Sequence, residues 1–588
     1  MKRIEIFLLA LLLLAGFFAR IWQIDKVPAS LYIDEADFGL QARSLIQTFK
    51  DYRGGLTPFW VHSFNDVRTP IPAYLVVLSS LIFRNPELQV RAPSVFLGVI
   101  VVFIVFLLVR LWTKNFTASI FTAATFAANP WQIQFSRFAH ENISMMALYL
   151  VAIFFFFKTL QTKNFKFLII FSILLPASIY AYRTMSLFVP LTFFALFLLF
   201  RKELLFVGLK KLILIIVIAG VIILPFLAAT TIGAPDQPRF AQLSVTADPE
   251  VPIFVQIDRA VDTKTFADPT ATRKPVASSF FFHNKVLSWF EAFKNNYLET
   301  FSTDFLFIKG DRNLRHSVGK MGHLYYIDLI AIIFGFVFLA KNFKRKEFQW
   351  LAVWLLITPI PSSLTLDGVQ HAARLFNFSA PILLIIGLGW WHLFETFKKL
   401  NYGRLMILPI VALAWLVLFT FYLHRYFVHY PVDSARHFGY GFKEAAFKIL
   451  EVEKDYQRIA MVSSKDPPMI YFFYWSKTNP RLIQEYGLNF SKDVVKNHPL
   501  DKYKVVDWPP GIGSSSKVAF HLRSDTLYLV SQNELPQDLR KEPPPEGIKL
   551  VSLITYPDRE VAFYLITRDA QHEAAFSDPR FSKGIDIL

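Results

Sequence analysis

The chain reads as an α-helical polytopic membrane protein of about eleven spans, followed by a small α/β domain. Three observations predict this. Of 588 residues 54% are hydrophobic and only 18% charged, with 63 Phe and a mean hydropathy of +0.38. Apolar runs of about 18 or more residues recur along the first two thirds. Lys and Arg gather in short stretches between those runs, which is how positive charge orients spans. The same residues account for the net charge of +17, so nucleic acid is not required as a partner. Cysteine is absent, which excludes disulfides, a thiolate nucleophile and Cys-ligated metal.

The first run, Ile4 to Trp22, follows Lys2-Arg3 and lacks a small-residue cleavage site. It is read as an uncleaved span with its N-terminus in the cytoplasm. Basic groups at Arg110/Lys114, Lys158/Lys163/Lys166, Arg201-Lys202/Lys210-Lys211, Lys341/Lys344-Arg345-Lys346 and Lys398-Lys399/Arg404 are placed on the same side. Two spans then separate each pair of neighbouring clusters. Ile71 to Phe83 is too short to cross and is read as a helix on the outer surface. The remaining spans are Arg91 to Trp112, Phe116 to Ile133, Ile143 to Phe157, Phe165 to Tyr182, Leu187 to Phe206, Leu212 to Ala229, Leu324 to Ala340, Phe348 to Leu364, Phe376 to Phe397 and Leu405 to Tyr422. Pro176, Pro225 and Pro359 fall in or near runs and are expected to break helices there.

This order defines a membrane module over 1–424, with a first outer loop at about 23–90 and a large one at about 230–320. An extracytoplasmic α/β domain follows over 425–588. In the large loop, Gly233 to Ser278 reads as irregular and Phe280 to Phe301 as an amphipathic helix on the membrane. In the last domain, Gly441 to Val452 has helical periodicity. Arg458 to Ser463, Thr526 to Ser531, Lys549 to Tyr556 and Val561 to Thr567 read as strands. Gly511-Ile-Gly513 is too little for a nucleotide fingerprint. The chain is expected in the plasma membrane, bathed by its lipids.

The polar clusters all fall on the outer side: Asp34-Glu35, Arg137 with His140-Glu141-Asn142, Arg183, Lys309 to His323, and Asp367 with His371 and Arg374. Charged groups at a membrane are expensive and generally mark a cavity or a site. Each has a plainer reading. Asp34 suits the N-cap of a surface helix through Gln47, with Glu35 and Asp37 favouring its dipole. It equally suits a general base on an acceptor hydroxyl. Asn142 suits a cap of the next helix. A His140/Glu141 pair could bind a divalent ion. The basic set Arg183, Lys309, Arg312, Arg315, His316, His323, His371 and Arg374 suits headgroup contact, or together a phosphate ligand.

A first span, then an outer loop opening on Asp34-Glu35, then Pro70-Ile-Pro72-Ala-Tyr74, then Val90-Arg91-Ala-Pro93-Ser94, resembles the GT-C superfamily of membrane glycosyltransferases. The likeness is to its protein O-mannosyltransferase and aminoarabinose-lipid A transferase branch. It covers the first two hundred residues well and the later spans loosely. The resemblance implies a polyprenyl-phosphate sugar donor, a hydroxyl acceptor on protein, lipid or glycan, and inverting transfer on the extracytoplasmic face. It implies Asp34 as base with Glu35 in support. Arg137, His140 and Glu141 would orient acceptor or base, although His-Glu-Asn stands where some relatives have an Asp. Arg183, Arg374, His371, Lys309 and Arg312 would meet the donor phosphate, so that no cofactor or resident metal is required. The rivals are an oligosaccharyltransferase or glycan ligase using a pyrophosphate-linked donor, and a non-catalytic transporter. A transporter would be expected to show paired repeats; none is evident.

Overall fold

The computed structural model describes residues 2–56, 59–63, 67–232, 243–262, 277–462, 467–487, 498–506, 522–535 and 537–569. They fall into two compact units. One comprises Met1–Arg20, Phe96–Ser136 and Glu141–Tyr422; the other Ile21–Val95, Arg137–His140 and Leu423–Leu588.

The apolar runs are helical at each of the eleven predicted positions. The helices are α1 (Arg3–Ile21), α4 (Pro86–Thr113), α5 (Phe116–Ala128), α7 (Glu141–Thr162), α8 (Phe165–Ala177), α9 (Met185–Phe200), α10 (Leu209–Ile232), α14 (Asp328–Lys341), α15 (Lys346–Ile357), α16 (Ser379–Phe397) and α17 (Leu408–His424). Among the described residues, six helices are long and apolar enough to cross a membrane: Arg3–Ile21, Pro86–Thr113, Glu141–Thr162, Leu209–Ala228, Phe376–Phe397 and Leu405–Asp433.

The shorter ones end where the backbone is interrupted. Phe116 to Ile133 is two helices, because Asn129 caps a new one, α6 (Pro130–Phe135), accepting from the Gln132 N–H at 3.1 Å with Pro130 at the first position. α8 closes just after Pro176 in a 3₁₀ turn, and α15 closes before Pro359. Pro225 lies inside α10 without ending it. Ile71 to Phe83 is the eleven-residue helix α3 (Pro70–Ser80), too short to span.

In the large loop, 233–242 and 263–276 lie outside the described residues. What remains is more ordered than its composition suggested: Val251–Asp262 forms the amphipathic helix α11. The apolar stretch after it is two helices, α12 (Ala277–Phe282) and α13 (Lys285–Glu299), parted where Asn284 caps the second by accepting from Leu287 N–H. Asn296 of α13 donates to the carbonyls of Ser363 and Thr365.

The second unit joins the segment between α1 and α4 to the C-terminal domain. Its sheet has the order β4 (Tyr503–Val506), β3 (Arg458–Val462), β5 (Thr526–Ser531), β7 (Val561–Arg568), β6 (Ile548–Thr555). The first three strands are parallel, and β7 runs antiparallel to both β5 and β6. The four predicted strands are present. The missed one, β4, is a short edge strand. Pro467-Pro468, read as punctuation, opens a helix, α19 (Pro468–Trp475), because proline is tolerated in a first turn. Gly511-Ile-Gly513 lies outside the described residues.

Both sheet faces are buried, which is why β5 and β7 read as continuous apolar runs. Ile459, Met461, Leu527, Leu529 and Leu565 pack with α18 (Phe442–Val452), α19 and residues of α2 (Ile33–Thr48) in one core. Ala460, Val462, Tyr528, Val530 and Ile566 form a second core on the other face.

α2 is therefore seated directly on α19. A Cβ on Gly39 would lie 2.3 Å from Tyr474 Cε2, and Arg43 donates to the carbonyls of Phe473 and Tyr474 at 3.3 and 3.0 Å. Gly39→Ala is expected to cost about 1–3 kcal/mol by overpacking. Thermal unfolding in detergent reads this, and Gly39→Ala with Tyr474→Leu should recover part of the loss. A single substitution without effect would mean that α2 and α19 are not in contact.

Candidate active site

The segment Leu31–Arg43 enters α2 through three acids with different surroundings. The helix begins after Tyr32, whose backbone N–H donates to Glu35 Oε2 at 3.2 Å. Glu35, not Asp34, thus closes the start of the helix, a correction to the capping expected of Asp34. Glu35 is fully buried. Its Oε1 accepts from Arg91 Nε at 2.8 Å and from Ala139 N–H at 3.0 Å, and its Oε2 accepts from Arg91 Nη2 at 3.0 Å. Arg91 in turn donates to the carbonyls of Ile24, Pro28 and Ser30. Tyr32 Oη donates to Ala139 O at 3.2 Å. One buried bidentate pair therefore ties the entry to α2, the start of α4 and residue 139 together.

Asp37 is also fully buried. Tyr52 Oη and Ser63 Oγ donate to its Oδ1 at 2.5 and 3.0 Å, and Arg68 Nε lies 3.1 Å from its Oδ2. Burial raises the Asp37 carboxyl, against the pull of Arg68, Tyr52 and Ser63. The same burial, with Asp37 beside it, pushes the Tyr52 hydroxyl well up.

Asp34 is the member of the trio that solvent reaches, with 27% of its side chain exposed; Arg68 Nη2 holds its Oδ1 at 2.6 Å. Arg68 comes from the two-residue strand β2 (Val67–Arg68), paired with β1 (Val61–His62) just before α3.

Arg137 corrects its expected role. It is fully buried, donates to the carbonyls of Trp22 and Val27 at 2.7 and 3.0 Å, and lies over the rings of Tyr426 and Phe427 at 5.1 and 4.9 Å. These backbone oxygens and ring faces give its charge a structural role. His140 is half-buried, with its ring edge-on to Phe138 at 5.6 Å.

The other predicted residues belong to the first unit. Glu141 opens α7, and Asn142, expected as a cap, instead reaches the loop before α16, donating to Ala373 O at 2.6 Å. That loop carries His371 and Arg374. Arg374 pairs with Asp367, Nη2 donating to Oδ2 at 2.8 Å. It lines a small cavity with Tyr182, Thr184, Met185, Thr358 and Asn377. Both amide atoms of the buried Asn377 lack a partner among the described residues, and Tyr182 lies within electrostatic reach of Glu141, Arg374 and Asp367. Arg183 follows Tyr182 in the turn before α9 and is half-buried.

Lys309 and Arg312 are exposed, and Lys309 pairs with Asp304 at 3.0 Å. A solvated pair of this kind is ordinary for a surface lysine. Lys309→Ala is expected to change melting by less than about 0.5 kcal/mol equivalent and to leave any transfer rate unchanged. A large loss of either would place the residue in the site.

Between Lys309 and His323 the chain folds back on itself, Gly322 and Leu324 N–H donating to the carbonyls of Phe307 and Leu306. Asp311 faces the Arg374 loop. Its Oδ2 accepts from His316 Nδ1 at 3.0 Å and from Ala372 N–H at 2.8 Å, and its Oδ1 accepts from Asn313 N–H at 2.8 Å. Burial raises this carboxyl, but those bonds outweigh it and hold Asp311 at about 2. Burial, with His316 alongside, lowers His371 to about 4. Burial lowers His323, stacked on Trp131 at 4.3 Å, to about 3.

Arg68, Asp37 and Arg91 were missed as site residues. Arg91 carried a signal, a lone cation at the head of an apolar run. Asn377, a polar residue inside the Phe376 to Phe397 run, carried the same one. Arg68 and Asp37 carried none, because their pairing is tertiary.

Residues 67–228 match the family described as dolichyl-phosphate-mannose-protein mannosyltransferase. The match includes Arg68, Arg91, Arg137, His140, Glu141 and Arg183, and begins after Asp34. No curated protein matches the chain. Among solved structures, ArnT from Cupriavidus metallidurans bound to undecaprenyl phosphate is similar at 11% identity and TM-score 0.51, over 96% of this chain and 98% of that one. The archaeal oligosaccharyltransferase AglB from Archaeoglobus fulgidus, in complex with an inhibitory peptide and a dolichol-phosphate, is similar at 16% identity and TM-score 0.51. That likeness covers 81% of this chain but only 64% of AglB. With its apolar helices, its family match over 67–228 and these shared architectures, the chain is a multi-pass membrane protein of the GT-C glycosyltransferase fold.

Proposed function

We propose that this protein transfers a sugar from a polyprenyl-phosphate donor to a hydroxyl acceptor on protein, lipid or glycan. Transfer occurs at the extracytoplasmic face of the plasma membrane, with the N-terminus in the cytoplasm. The observation that carries the reading is the contrast within Leu31–Arg43. Glu35 and Asp37 are fully buried and bonded, whereas Asp34, held by Arg68, is 27% exposed. A carboxylate presented this way suits a general base. Asp34 takes the acceptor proton as the hydroxyl oxygen attacks the anomeric carbon from the face opposite the leaving phosphate. The sugar–phosphate C–O bond breaks in the same displacement, inverting the centre, and the lipid monophosphate departs. Glu35 is a positioning residue, and His140 and Glu141 are offered as acceptor-side polar groups. Arg374, with Arg183, His371 and Arg312 as further candidates, stabilises the charge that develops on the leaving phosphate. Arg374 is favoured because it lines a cavity with the unpartnered amide of Asn377.

The test is transfer by purified protein in proteoliposomes, with a panel of polyprenyl-phosphate and polyprenyl-pyrophosphate sugars and the product identified by mass. Turnover with a monophosphate donor supports the reading. Turnover with pyrophosphate donors alone would replace it by an oligosaccharyltransferase-type or ligase reaction. Arg374→Ala is expected to lower turnover by about 10²-fold or more, and an unchanged rate would remove it from the donor site.

A further inference from the structure

We propose that Asp311, His316 and His371 bind a divalent cation of the zinc type, which clasps the loop carrying Arg374 to the Asp304–Leu324 fold. Each of the three offers one ligand atom, and these atoms lie within 4.8 Å of one another. Ordinary hydrogen bonding explains the Asp311–His316 pair. Beside it a second imidazole, His371, is set against His316 at a ring distance of 4.9 Å and a tilt of 31°; its Nδ1 accepts from Arg374 N–H at 3.4 Å, which leaves Nε2 to serve as a ligand atom. As a ligand set the three are complete: two imidazole nitrogens and one carboxylate oxygen leave the fourth position of a tetrahedral ion for water or an anionic oxygen.

Zinc–ligand bonds of about 2.0–2.2 Å require these atoms to close by about 1 Å, which small side-chain rotations supply. The carboxylate is already oriented, held by the N–H groups of Asn313 and Ala372, as ligating carboxylates commonly are. Asp311 and His316 are both 8% exposed, and His371 opens the cluster to one side. A further buried nitrogen lies close by. His323 Nε2 lacks a partner among the described residues and is 3.4 Å from the position a Cβ would take on Gly310, next to Asp311. Two imidazoles select zinc-like over hard cations, which prefer all-oxygen shells. The ion would sit three residues from Arg374, so its effect on any reaction is to fix that loop.

The experiment uses the full chain purified in detergent, stripped with chelator, and titrated with Zn2+ or Co2+. Metal content is read by mass spectrometry, and coordination by the visible absorption of Co2+. One equivalent per chain is expected in wild type and in Asp34→Asn. His371→Gln and Asp311→Asn are expected to weaken binding by about tenfold or more, and excess Mg2+ should not compete. Zn2+ should raise the melting temperature of wild type but not of His371→Gln. Should Asp311→Asn fail to fold, His371→Gln, whose ring is partly exposed, decides alone. A wild-type chain that takes up neither ion, or uptake unchanged in His371→Gln, overturns the proposal.

Discussion

Asp34→Asn is expected to lower sugar transfer by about 10²–10⁴-fold while leaving melting in detergent nearly unchanged. The two halves of this expectation come from different features. The rate falls because an amide cannot take the acceptor proton. The fold persists because Asp34 closes no helix and fills no core. Glu35 satisfies the first backbone donor of α2, and Arg68 keeps the buried Asp37 as a partner when Asp34 loses its charge. Asp34→Glu separates proton transfer from charge alone: it retains the acid but lengthens the reach, and should recover only part of the rate. Arg68→Gln tests the frame, since it would leave Asp37 buried without a cation and should reduce both stability and rate. Near-normal turnover in Asp34→Asn with a monophosphate donor would assign the base elsewhere, with Glu141 the next acid to examine.

The sequence displayed some of this arrangement and concealed the rest for identifiable reasons. Apolar runs and the charges between them located the helices, because hydrophobic length and basic flanks are local properties. Helix ends at Ala128 and Ile357 were less visible, since a single Asn or Pro interrupts a run whose average stays apolar. The acidic trio was legible as a cluster, yet three carboxylates in four positions look alike until Arg91, Arg68 and Tyr52 arrive from elsewhere in the chain. Arg137 shows the converse. A cation in a polar loop suggests a ligand, but Tyr426 and Phe427 come from nearly three hundred residues away and enclose it. The C-terminal domain was recognised by its strands, whereas its seat on α2 depends on Gly39 lying under Tyr474, a contact that no local pattern encodes.

Glu35→Gln and Arg91→Met are each expected to destabilise the fold by about 3–5 kcal/mol, the usual cost of leaving one partner of a buried pair behind. In Glu35→Gln the new amide group presents its N–H₂ to a site surrounded by donors: the Arg91 guanidinium and the N–H groups of Tyr32 and Ala139. The informative variant is the double one. Where a buried ion pair bonds only to itself, apolar replacement of both partners is often neutral or stabilising. Here Glu35→Met with Arg91→Met would orphan the N–H groups of Tyr32 and Ala139 and the carbonyls of Ile24, Pro28 and Ser30. Each buried orphan costs about 1–3 kcal/mol, so the double variant should remain several kcal/mol below wild type. Urea unfolding in detergent of the two single variants and the double closes the cycle. Recovery of wild-type stability in the double variant would show that those backbone groups find other partners. Persistent loss would identify the pair as the tie that sets the start of α2, and Asp34 with it, against residue 139.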